Sequence, residues 1–110
     1  MKDFLILFRE ADGRQQLHTP EDNNQHQLKW KSWMDPLIKK GNLVGGKPLS
    51  LIGKVIHPDG KIEEGISKTG TEFIGGFLLL KSNSVDQTVE LMRDCPVFER
   101  GAIAEVREVM

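Results

Sequence analysis

A helix carrying capping signals at both ends stands between apolar runs early in the chain, and it limits the folds open to the whole. Thr19-Pro20-Glu21-Asp22 has the chemistry of a helix start. Thr19 suits the N-cap, and Pro20 suits the first helical position, where a missing N–H costs nothing. Asp22 comes close to completing a capping box, and Glu21 and Asp22 favour the positive end of the helix dipole. Trp30, Trp33, Met34, Leu37 and Ile38 then recur at helical spacing, and Lys39, Lys40 and Gly41 supply a C-terminal end. Pro36 removes one hydrogen bond and predicts a kink in the last turns.

The segments around this helix read as strands. Phe4 to Phe8 is an apolar run between charged residues, which predicts a central strand. Glu10 to His18 is polar, with Asp12-Gly13 as a turn signal, and reads as a loop. After Val44-Gly45-Gly46, the stretch Leu49 to Ile56 predicts a strand, His57 to Gly60 (HPDG) a tight turn, and KIEEGI a return strand. Phe73 to Lys81 is the most apolar strand. Its Gly75-Gly76 predicts a bulge or a close approach by another group. Ser84 and Gln87 make a second capping box, opening a shorter helix with Val85, Thr88, Val89 and Met92 on one face. Cys95-Pro96 marks its end. In the last strand, Ala102 to Val109, Ala104 and Val106 share one face, Glu105 and Arg107 the other.

The predicted order is β-α-β-β-β-α-β, an α+β domain of ferredoxin-like type spanning 1–110. Two helices cover one sheet face. Several strands carry apolar residues on both faces, so the other face needs a cover, and a second copy stacked sheet to sheet supplies it. A homodimer is therefore expected.

Composition narrows the functional classes. Fifteen basic and sixteen acidic residues nearly cancel, so no basic surplus argues for nucleic acid as partner. The apolar run at the N-terminus is too short for a membrane span or a signal segment. The single cysteine, Cys95, excludes an internal disulfide and fits a reducing compartment, so a cytoplasmic protein with no membrane partner is expected.

In order and spacing these features resemble the YCII-related family, and within it the branch named for a DGPF motif. The resemblance spans nearly the whole chain. It rests on the helix from Thr19 with its histidine His26, the PDGK turn at 58–61, EGIS at 64–67 where that branch carries DGPF, and the C-terminal stretch beginning Cys95-Pro96. It implies a dimeric α+β barrel of ferredoxin-like subunits, with a small cleft near the first helix holding His26. In the founding branch this histidine is paired with an aspartate, and the pair has been suggested to be catalytic. The present chain departs in two places. Aligned on Pro96, Cys95 stands where the aspartate would be, and only the acid-glycine core of DGPF survives, as Glu64-Gly65.

His26 shares a helical face with Trp30, Trp33 and Leu37. The helix N-terminus disfavours its protonated form, and a neutral imidazole in a cleft suits a general base near pH 7. The alternative is a half-buried histidine bonded to the backbone. Glu64 is the candidate for a second carboxylate; its alternative is an exposed strand acid. Trp30 and Cys95 are candidates to line a ligand pocket, although tryptophans at this spacing also build cores, and a thiol at a helix C-terminus is poorly activated. His18, His26 and His57 match no ligand spacing, and no phosphate-binding glycine fingerprint occurs, so neither a metal nor a cofactor is expected. Two function classes fit. One is a cofactor-free enzyme moving a proton on a small organic molecule, in an isomerase or lyase type of step, with His26 as acid or base, Glu64 assisting and Trp30 in the pocket wall. The other is a non-enzymatic module binding a ligand or a protein.

Overall fold

The computed structural model of the chain describes residues 1–11 and 19–110. The expected Asp12-Gly13 turn and His18 lie outside the described residues. The elements, in chain order, are β1 (Lys2–Ala11), α1 (Pro20–Lys39), β2 (Leu43–Pro48), β3 (Lys54–Ile56), β4 (Ile62–Glu64), β5 (Glu72–Ser82), α2 (Val85–Met92), a 3-10 helix (Pro96–Arg100) and β6 (Ile103–Glu108). Four strands form one antiparallel sheet in the order β2-β5-β1-β6, while β3 and β4 pair separately. That order, with α1 and α2 in the crossovers, is the ferredoxin-like arrangement. No helix is long and apolar enough to cross a membrane, among the described residues.

The main ladder explains where the core sits. Phe4 pairs with Leu80, Ile6 with Leu78 and Phe8 with Gly76. Side chains alternate across a strand, so these residues share the face beneath the helices. Phe4, Ile6 and Leu80 are fully buried there, joined by Leu37 of α1 and Met92 of α2. Trp30, Trp33 and Met34 pack against this cluster, as expected, but Ile38 is exposed. Ala104 and Val106 of β6 reach the same core. The opposite face carries Leu5, Leu7, Phe77 and Leu79, all half-buried, with Ile74 at 37% and Ile103 at 50% exposure.

Both helix starts form as the sequence dictates. The Thr19 side chain accepts the Asp22 N–H at 3.1 Å. Ser84 accepts the Gln87 N–H at 3.1 Å, and the Gln87 side chain accepts the Asn83 N–H at 2.7 Å. Helix α1 continues through Pro36 to Lys39. On α2, Thr88 and Met92 are buried, whereas Val85 and Val89 stay exposed. The Thr88 hydroxyl takes part in the core: it lies 2.6 Å from Ser82 Oγ, and both residues are fully buried.

The second strand is a correction. Val44-Gly45-Gly46 belongs to β2, which pairs with β5 from Leu43↔Leu80 to Pro48↔Gly76. Two glycines and a proline hide the strand from a pattern reading. Gly46 is required by packing, because a Cβ there would stand 2.5 Å from both Leu78 Cδ2 and the Phe77 carbonyl. The expected strand Leu49–Ile56 shrinks to Lys54–Ile56. The Ser50 hydroxyl takes the Ile52 N–H at 3.3 Å, a local turn bond that competes with pairing. The HPDG turn forms as expected, closed by Gly60 N–H to the His57 carbonyl at 2.9 Å, with Gly60 at φ 88°.

Candidate functional site

A cleft of about 490 Å³ opens between α1, the β2–β5 edge and the 3-10 helix. Phe8, Trp30 and Met34 give it apolar walls, and His26, Glu10 and Arg100 bring polar groups to it, while Lys47 and Phe77, paired across β2 and β5 with side chains on the other sheet face, border its edge. The walls follow from the fold. Phe8 comes from the buried row of β1, and its ring meets Trp30 edge to face at 5.9 Å between centroids. Trp30 in turn stacks edge to face on Trp33 at 5.7 Å. Each such pair contributes about 0.5–1.5 kcal/mol beyond its buried area, which fixes the indole against the sheet.

His26 is placed by its helix. Four residues on, Trp30 lies on the same face, and its indole Nε1–H donates to His26 Nε2 at 3.0 Å. An indole N–H can only donate, so Nε2 accepts, and a neutral imidazole then carries its proton on Nδ1. Nδ1 faces Glu99 Oε2 at 3.5 Å. Glu99 is held by Lys29 at 2.8 Å, and Arg100 donates to Asn23 Oδ1 at 3.0 Å. Asn23, His26 and Lys29 follow one another at three-residue steps, so one stripe of α1 clasps the 3-10 helix through polar contacts. The His26 pKa lies below the ordinary histidine value. Burial is the main cause, the Arg100 charge adds to it, and Glu99 opposes it. The imidazole is therefore neutral at pH 7.

The other sequence candidates lie elsewhere. Glu64 does not line the cleft; it is exposed at the end of β4 and pairs with Lys54 at 2.9 Å. The carboxylate facing His26 is Glu99, and the one lining the cleft is Glu10. Cys95 is buried and lines a second, wider-open groove with Trp33, Leu28 and Phe98. Burial pushes its thiol up to about 11, against a weaker opposing hydrogen bond with the Val97 backbone. His57 pairs with Glu63 at 3.3 Å on the exposed hairpin. Among the described residues, no group of three or more His, Cys, Asp or Glu side chains could hold a metal ion.

Sequence reasoning missed Glu10, Glu99 and Arg100. Glu99 and Arg100 reach α1 only through contacts seventy or more residues away in the chain, between Lys29 and Glu99 and between Asn23 and Arg100. Glu10 did leave a trace. Gly75 is the residue skipped where the β1–β5 register slips, and a Cβ there would lie 2.7 Å from Glu10 Cδ. The glycine pair therefore answers to both expectations: a bulge and a close approach. At Gly76 the approaching group is strand β2, with the Lys47 carbonyl 3.1 Å from where a Cβ would stand.

No protein-family model matches the chain, and no curated protein matches it. Among solved structures, the fold is similar to that of 5-chloro-2-hydroxyhydroquinone dehydrochlorinase from Burkholderia phenoliruptrix, solved in complex with 2,5-dihydroxybenzoquinone. The likeness has a TM-score of 0.51 at 20% sequence identity and covers 94% of this chain and 90% of that one. At that identity the likeness establishes the architecture alone: a small α+β domain with an antiparallel sheet and two helices.

Proposed function

We propose that the cleft beside His26 binds a small planar organic anion and moves a proton on it. The observation that carries this reading is the state of the imidazole. His26 lines the cleft, is neutral, holds its proton on the nitrogen facing Glu99, and keeps Nε2 as an acceptor that the Trp30 N–H occupies. An incoming ligand displaces that indole bond and meets the lone pair. Nε2 then takes a proton from a carbon next to a carbonyl, and the C–H electron pair moves into the enolate. The resulting imidazolium keeps Nδ1–H directed at the Glu99 carboxylate, and Arg100 offsets the enolate charge. The aromatic walls suit a flat ligand. The fold neighbour, a dehydrochlorinase bound to a quinone, supports a small-molecule enzyme by analogy of fold.

Membership of the YCII-related family, in its DGPF-type branch, is part of this proposal, supported by the order of motifs from His26 to Cys95-Pro96. So is a cytoplasmic homodimer. The half-buried row Leu5, Leu7, Phe77 and Leu79, flanked by exposed Ile74 and Ile103, supports a second copy stacked on the open sheet face.

Phenylpyruvate is a suitable probe, since it joins an aromatic ring, a carboxylate and an acidic C–H. The expected result is quenching of Trp30 fluorescence and accelerated deuterium incorporation at its benzylic carbon in D2O. His26→Gln abolishes the acceleration and retains the quenching. Quenching without acceleration by the wild-type protein would favour the non-enzymatic module, and neither effect would refute the cleft reading.

A further inference from the structure

Glu10 is unexplained by the proton transfer just described, yet it is built into the cleft with some care. It sits at the edge of the sheet's bulge, half-buried, and its carboxylate lies directly over Gly75. A Cβ at that position would stand 2.7 Å from Cδ, 2.8 Å from Oε2 and 3.1 Å from Oε1. The skipped residue of the bulge is thus a notch that receives a carboxyl group. No hydrogen bond or ion pair engages Glu10 among the described residues. Its neighbours in the cleft wall include the cation Arg100 and the rings of Phe8 and Trp30. Arg100 is tethered through Asn23 at 3.0 Å, so it is held on the α1 side.

A cleft that holds both a carboxylate and a cation does not treat all anions alike. The carboxylate repels a second negative charge and rewards a hydrogen-bond donor, because an ionised carboxyl can only accept. Building on the reading of the cleft as an anion site, we propose that Glu10, held in the Gly75 notch, is its specificity-determining residue. It selects ligands that carry one anionic group and, across a flat ring, a neutral hydroxyl. Ligands that carry a second ionised group across the ring, facing Glu10, are excluded.

Three probes of one shape test this: 4-hydroxybenzoate, benzoate and terephthalate, titrated against the full chain by NMR at constant ionic strength. The wild-type protein binds 4-hydroxybenzoate tightest and discriminates against terephthalate by about tenfold or more, the scale of a hydrogen bond to a charged group. Glu10→Gln collapses that ratio, chiefly by admitting terephthalate. Gly75→Ala does the same while keeping the Glu10 charge, because the new methyl displaces the carboxylate from its notch. Gly75 is not at a positive φ, and the three atoms nearest its Cβ all belong to that flexible side chain, so the fold persists, as circular dichroism will report. An unchanged ratio in Glu10→Gln overturns the proposal and leaves the proton-transfer reading standing. Equal binding of all three probes by the wild type, or of none, also overturns it. Absence of both quenching and deuterium exchange with phenylpyruvate would instead remove the underlying reading of the site.

Discussion

Replacing Trp30 with phenylalanine isolates the interaction that sets the state of His26. The variant keeps a ring to pack against Phe8 and Trp33 but removes the one N–H that donates to Nε2, at 3.0 Å in the native protein. That bond exists only with the unprotonated nitrogen, because a protonated Nε2 would set one donor against another. Removing it therefore raises the free energy of neutral His26 and spares the charged form. A net hydrogen bond contributes about 0.5–1.5 kcal/mol. At about 1.4 kcal/mol per factor of ten, the proton affinity of His26 rises roughly twofold to tenfold. The smaller ring also admits water, which acts in the same direction by reducing the desolvation that is the main cause of the native shift. The assay is a pH titration of the His26 ring proton by NMR in the two proteins. Unchanged or weaker proton affinity in Trp30→Phe would refute the tautomer and the role given to Trp30.

Three further outcomes follow from the same contacts. Because His26 binds its proton less tightly folded than unfolded, the unfolded chain holds more protons just below its ordinary value of 6.5. Its contribution to stability is thus complete above that pH and is lost as pH falls through the lowered folded value; His26→Gln should flatten this part of the denaturation profile. Thr88→Val leaves buried Ser82 with one hydroxyl partner fewer and costs about 1–2 kcal/mol, read as a lower urea midpoint at unchanged slope. Cys95, buried with its thiol pushed up to about 11, reacts with a thiol reagent at pH 8 only on the timescale of unfolding; prompt labelling of the folded protein would contradict its placement.

Elements with local chemistry were legible in the sequence. The two N-caps, the HPDG turn and the central strands carry their instructions within a few residues. Strand β2 was not, because its two glycines and Pro48 are there for close packing on β5 and erase the alternation that marks a strand. The apparent strand at Leu49 failed for the reverse reason: apolar residues alternate, but Ser50 turns the backbone on itself. The site divides the same way. His26 and Trp30 are one helical turn apart, so spacing alone put them on one face. The carboxylate facing His26 comes from the far end of the chain, and no periodicity joins Glu99 to α1. Glu64 stands at a motif position, but a short hairpin outside the main sheet carries it to Lys54.

The central claim is that the cleft receives a flat anion beside neutral His26. A crystal structure of the protein with 4-hydroxybenzoate tests it most directly. The account predicts the ring against Trp30 and Phe8, the carboxylate within hydrogen-bond distance of Arg100, and the hydroxyl at Glu10. A ligand seated on the open sheet face or in the groove beside Cys95, with nothing between His26 and Glu10, would contradict it.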